Sequence, residues 1–211
     1  MKWPVGAPVH AWLQRQFGTG RGLLRLLLAY AELATGRLRP FRLRHPQQVR
    51  RVVYVCLGNI CRSAYGVHVA RACGLHATSF GLSTSTGAGA PPAALAAAQR
   101  VGVDLAPHRA CDWRDFVVRP GDLFVVMEVR QARELRRRLG RRSDVQIVLL
   151  GLWCRPALPH LHDPYTLGAA YFDTCFRRVR CATLRLQRHL RDIPGRHSAP
   201  AAAAPPTLET E

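Results

Sequence analysis

Along residues 51–192, short runs of branched apolar residues alternate with longer stretches in which apolar positions recur every three or four residues. The runs at 52–55, 77–82, 122–127 and 145–150 have strand length and are apolar at most positions, which predicts strands buried on both faces. The stretches 63–73, 92–101, 130–139 and 168–191 carry the helical period. Strands and helices in alternation predict an α/β fold: a three-layer sandwich, a four-stranded parallel sheet with helices on both faces. Ligands of such folds bind at the carboxyl ends of the strands. The first predicted strand runs directly into Cys56.

Two flanking regions follow different patterns. Residues 1–50 predict a basic extension with one helix, over 22–35, that places Leu23, Leu24, Leu27, Leu28 and Ala31 at helical spacing, Arg25 and Glu32 on the other side, and Gly36 as a stop. The leucine face is read as packing on the main domain or on a second copy. Contact with a membrane surface is the lesser reading, motivated by Arg21, Arg37, Arg39, Arg42 and Arg44, which flank that face. Residues 193–211 hold an Ala/Pro run without aromatic or branched residues to bury, which predicts a disordered tail. The chain thus divides into an extension (1–50), one globular domain (51–192) and the tail (193–211).

Composition narrows the function classes. The 211 residues carry a formal charge of +18, and Lys2 is the only lysine, so arginine supplies almost all of it. The charge is spread over extension and domain alike and comes with no aromatic platform or nucleic-acid motif, so it predicts nonspecific anion attraction and no specific nucleic-acid partner. Seven cysteines, at 56, 61, 73, 111, 154, 175 and 181, form no small disulfide framework and point to a reducing, cytoplasmic setting. Leu23 to Leu28, followed by Ala29, Tyr30 and Ala31, imitates a signal-peptide core and cleavage site, but Arg25 interrupts it.

The chemistry concentrates in Cys56-Leu57-Gly58-Asn59-Ile60-Cys61-Arg62-Ser63, between the first strand and the first domain helix. A Cys followed six residues later by an Arg means little in a chain with this many of both. A strand, a Gly-containing turn and a helix N-terminus together aim backbone N–H groups and a positive dipole end at one point, which suits a phosphate-like dianion. Gly58 and Asn59 tolerate the positive φ that such a curled loop needs. The same field favours a thiolate at Cys56. Arg62 offers a planar fork for two phosphate oxygens, and the Ser63 hydroxyl is placed to donate to the thiolate.

This octapeptide, behind a hydrophobic strand, resembles the hallmark of the low-molecular-weight protein tyrosine phosphatases, and the resemblance extends over residues 51–192. Further matches follow in the family's order: Ser79 with Gly81, Gly102-Val103-Asp104 leading to His108-Arg109-Ala110, Met127-Glu128, and Asp163-Pro164-Tyr165. The resemblance implies a bacterial, cytoplasmic enzyme that hydrolyses phosphotyrosine through a phosphocysteine intermediate with no metal or cofactor. Cys56 is then the nucleophile, Arg62 the phosphate clamp and Asp163 the general acid. Leu57, Gly58, Asn59, Ile60, Cys61 and Ser63 bind the phosphate, and Tyr165 flanks the aromatic ring. Asn59, Ser63, Ser79 and His108 resemble a polar network that holds the loop, and Cys61 resembles a second cysteine able to form a reversible disulfide with Cys56. The family's common role implies a phosphotyrosine protein partner such as an autophosphorylating tyrosine kinase, in polysaccharide export.

Departures and alternatives remain. Ala64 and Val67 stand where the family commonly has Pro and Glu, and Thr166 where it often has a second aromatic. These imply altered recognition with activity retained. Arsenate reductases on this scaffold need two further cysteines close together, whereas Cys111 has no near neighbour; arginine-phosphate phosphatases carry Thr where this chain has Ile60. A noncatalytic anion-binding module is the remaining alternative.

Overall fold

A computed structural model describes residues 7–192, so the predicted tail at 193–211 lies outside the described residues. Four strands, β1 (Arg51–Cys56), β2 (Ala77–Gly81), β3 (Asp122–Val126) and β4 (Gln146–Leu149), form one sheet in the order β2-β1-β3-β4. Every pairing is parallel, with Val52 opposite Ala77 and Leu123, and Phe124 opposite Ile147. Six α-helices lie among the described residues: α1 (Ala7–Phe17), α2 (Gly20–Ala34), α3 (Arg62–Ala72), α4 (Pro92–Gln99), α5 (Val129–Leu139) and α6 (Ala169–Arg191). The predicted strands and domain helices agree with these bounds to within two residues, the usual fraying of element ends.

The near-continuous apolar strands follow from a sheet covered on both sides. Val52, Tyr54 and Cys56 of β1 face a core shared with Leu123, Val125 and Val148 and with α3, α4 and α6. Val53 and Val55 face the opposite core, with Phe124, Ile147 and Leu149, α5 and Ala29 of α2. The sheet order reverses at β1, since the chain leaves it first toward β2 and later returns on the β3 side. In an open parallel sheet the usual place for a ligand is where the strand order reverses, which here is the carboxyl end of β1. Gly66 of α3 lets the helix lie on Tyr54: a Cβ there would stand 2.5 Å from the ring. The Tyr54 hydroxyl donates to Thr183 Oγ1 at 3.0 Å, tying β1 to α6.

The extension differs from expectation in two ways. It holds two α-helices where one was predicted: α1 has Pro8 in its first turn, which suits a helix start, but most of its side chains are exposed, so no apolar stripe betrays it. In α2 the buried face is Gly22, Leu26 and Ala29, while Leu24, Leu27 and Leu28 are exposed. Leucines occupy nearly the whole circumference of α2, so their spacing does not select a face. The small residues Gly22 and Ala29 do, because they let the helix approach the domain closely.

Candidate active site

The loop between β1 and α3 closes on Cys56. Cys56 is buried, and its Sγ accepts the Asn59 N–H at 3.2 Å and lies 2.9 Å from Ser63 Oγ. Asn59 takes φ 51°, the left-handed conformation that curls the loop. Its side chain is used at both ends: Nδ2 donates to Ser63 Oγ at 2.8 Å, and Oδ1 accepts the Cys111 N–H at 3.0 Å. His108 Nε2 lies 2.7 Å from the Asn59 carbonyl oxygen. A carbonyl only accepts, so Nε2 bears the proton, and burial, outweighing that bond, lowers the pKa of His108 and keeps the ring neutral. The structure therefore brings Asn59, Ser63 and His108 together. Ser79, opposite Tyr54 in β2, is buried nearby without a side-chain hydrogen bond to them.

Arg62 opens α3 and is 1% exposed. Its Nη1 donates to Glu128 Oε1 at 2.7 Å and to the Leu161 carbonyl at 2.9 Å. Nη2 meets Asp163 Oδ2 at 2.6 Å as an ion pair, without hydrogen-bond alignment, and both Nε and Nη2 are buried without a hydrogen-bond partner. One edge of the guanidinium is thus anchored, and the other, Nε and Nη2, lacks aligned hydrogen bonds and has the Asp163 carboxylate set against Nη2. Burial works to lower the pKa of Arg62, but Asp163 and Glu128, with a smaller contribution from Cys56, raise it above its ordinary value.

Glu128, just beyond β3, is the anchor the sequence reading did not assign. Burial alone would raise its carboxyl, but Arg62 and Arg130, which bonds Oε2 at 2.7 Å, hold it down at about 2. Its sequence signal is a lone acid at the carboxyl end of a buried strand, beside the first strand's own loop.

Asp163 lies on the segment between β4 and α6. The Leu161 N–H donates to the Met127 carbonyl at 2.9 Å, and Tyr171 Oη donates to the His162 carbonyl at 3.2 Å, so both β3 and α6 pin this segment. Asp163 Oδ1 accepts the Tyr165 N–H at 3.2 Å, the local turn expected of Asp-Pro. Tyr165 is 52% and Leu57 43% exposed, one on each of the two loops. Ile60 is half-buried against the core, and burial raises the pKa of the Cys61 thiol. Gly58, between Leu57 and Asn59, adopts no positive φ; Asn59 alone in the loop does.

A thiol at the end of a parallel strand, a buried arginine with one edge lacking hydrogen bonds and a carboxylate against it form one compact constellation. The family model for low molecular weight phosphotyrosine protein phosphatase matches residues 51–193. The chain belongs to that family. It is an enzyme of the protein tyrosine phosphatase kind. Among relatives, a low molecular weight protein-tyrosine-phosphatase of Acinetobacter johnsonii is 26% identical over 145 residues, which is 68% of this chain and 99% of that protein. The crystal structure of the tyrosine phosphatase AmsI of Erwinia amylovora superposes with TM-score 0.57 at 27% identity, covering 67% of this chain and 93% of that one. An arginine phosphatase, YwlE of Geobacillus stearothermophilus, shares the fold with TM-score 0.58 at 18% identity over 67% of this chain and 92% of its own. These family proteins are covered nearly whole, so residues 1–50, with α1 and α2, stand outside the shared phosphatase domain.

Proposed function

We propose that the protein hydrolyses phosphotyrosine in proteins through a phosphocysteine intermediate, without a metal. The outer edge of Arg62, on the loop that begins at Cys56, with Nε and Nη2 buried and without hydrogen-bond partners, carries this reading. The phosphate dianion sits over the loop, its oxygens held by loop N–H groups from Leu57 to Ser63 and by Nε and Nη2 of Arg62, where it displaces the Asp163 carboxyl, which then carries the proton for the leaving group. Glu128 keeps the guanidinium in place. The Cys56 thiolate attacks phosphorus, forming an S–P bond as the P–O bond to the tyrosyl oxygen breaks, and Asp163 hands its proton to that oxygen. Asp163 then takes a proton from water, which attacks phosphorus and breaks the S–P bond. The departing thiolate is received by Ser63 Oγ–H and the Asn59 N–H.

Tyr165 and Leu57, exposed on the two loops, fit as walls for an aromatic ring, and Ile60 favours tyrosine over the guanidino substrate of the arginine phosphatases. A phosphotyrosine protein such as an autophosphorylated tyrosine kinase is the partner class, drawn by the family resemblance. None of the described helices is long and apolar enough to cross a membrane. A thiolate nucleophile needs a reducing compartment, which supports cytoplasmic action.

The test is hydrolysis of para-nitrophenyl phosphate and of phosphotyrosine and phosphoarginine peptides, under reducing conditions with a chelator. Cys56→Ser is expected to abolish turnover, and Asp163→Asn to lower kcat by about a hundredfold or more. Inactivity of the native chain on the aryl ester and the phosphotyrosine peptide overturns the reading. Preference for phosphoarginine transfers it to the arginine phosphatases.

A further inference from the structure

The extension outside the shared phosphatase domain closes on the segment that carries Asp163. Thr19, the residue that caps α2 by accepting the Gly22 N–H, also lies 3.0 Å from His162 Nε2 through the same Oγ1. Gly22 leaves no room for a side chain: a Cβ there would run into the Phe17 carbonyl oxygen, at the end of α1, and stand 2.8 Å from the His162 ring. Gly18, at φ 75°, has Leu167, Tyr171 and His162 within 3.0 Å of where a Cβ would lie. Farther along, Tyr30 Oη donates to the Ala157 carbonyl at 2.6 Å. Arg178 of α6 donates to the Gln16 carbonyl at 2.6 Å, which fastens the end of α1 to the same side. The ring immediately preceding Asp163 is therefore clasped between the α1–α2 turn and α6.

We propose that the α1–α2 arm is a positioning element for proton transfer: by gripping His162 it holds the Asp163 carboxyl over Cys56. The proposal rests on Asp163 being the general acid. His162 touches no reacting atom. It sets the backbone from which Asp163 projects, and a displacement of an acid by about 1 Å can cost up to about a hundredfold in rate. The family domain exists without such an arm, so loosening the arm should grade the acid's efficiency. A leaving group that departs readily needs the proton little, whereas a poor one needs it fully. The arm's effect must therefore depend on the leaving group, which a merely structural role would not produce.

The experiment compares kcat on phenyl phosphate and para-nitrophenyl phosphate for the full chain, Thr19→Val, Thr19→Ser, Gly22→Ala and Asp163→Asn. Thr19→Val and Gly22→Ala are expected to slow phenyl phosphate by about tenfold and para-nitrophenyl phosphate by less than about threefold, with Thr19→Ser recovering most of the loss. Equal losses on both esters, or no loss, while Asp163→Asn does show the selective loss, overturn the arm's role and leave the acid assignment standing. If Asp163→Asn shows no selectivity, the acid assignment fails and the arm's role falls with it. Should neither arm variant fold, Tyr30→Phe, which removes only the bond to Ala157, decides in the same way: a selective loss supports the proposal and parity of the two esters overturns it.

Discussion

Asn59 condenses the loop's demands into one side chain. Its backbone must take φ 51°, and its amide must donate to Ser63 and accept from Cys111. Glycine meets the first demand only, and alanine meets neither. Asn59→Gly should therefore cost the two hydrogen bonds, and Asn59→Ala should cost those bonds plus about 1 kcal/mol or more of left-handed strain. Urea denaturation of the two variants measures the gap. Equal stabilities would mean that the conformation is set by the loop's surroundings and not by Asn59 itself. The loop was legible in the sequence because its requirements are contiguous: strand, thiol, turn residues and arginine follow one another over residues 51–62. Glu128 was not legible as a partner, because it meets Arg62 across 66 residues and only the β1–β3 pairing brings them together.

At the scale of elements, legibility followed the number of faces an element buries. The strands are buried on both sides and announce themselves as apolar runs; α4 to α6 each bury a stripe and show the helical period, and α3 is buried on nearly every side. The exposed α1 shows neither, and α2 hides its face among excess leucines. The close contact of α3 with β1 has the opposite character, since it depends on what Gly66 lacks. Gly66→Ala drives a methyl into the Tyr54 ring, which is fully buried and bonded to Thr183. Helix propensity alone would make this substitution favourable by up to about 1 kcal/mol. Overpacking of a rigid ring against a strand costs about 1–3 kcal/mol and should win, lowering Tm. The displaced helix also carries Arg62 at its start, so kcat should fall with stability. A raised Tm would show that α3 slides outward freely and that the site tolerates the shift.

For the whole molecule, the decisive quantity is how a chain of formal charge +18 responds to acid. Falling pH adds positive charge to a molecule that already repels itself, and buried titratable groups beside the site make the response specific. His160 is 6% exposed, and burial, against the pull of Glu128, lowers its pKa from 6.5 to about 4. A His held neutral in the fold but free to charge when unfolded contributes stability that is complete above pH 6.5 and is lost as pH falls toward 4. Burial lowers the pKa of His162 and His108 as well, so they act in the same direction. Glu128 follows in a lower window: its carboxylate is stabilised in the fold, with its pKa lowered from 4.5 to about 2, so its contribution is intact above pH 4.5 and lost toward pH 2. Unfolding free energy should therefore decline first between pH 6.5 and 4, by about 3 kcal/mol from His160 at most, and then again below 4.5. Chemical denaturation at a series of pH values separates the windows. His160→Gln should flatten the upper limb and leave the lower one, whereas Glu128→Gln should flatten the lower limb while lowering stability at pH 7, because Arg62 is left with its buried charge undercompensated. An upper limb unchanged in His160→Gln would take the acid response away from His160 and assign it to His162, His108 and the molecule's overall charge.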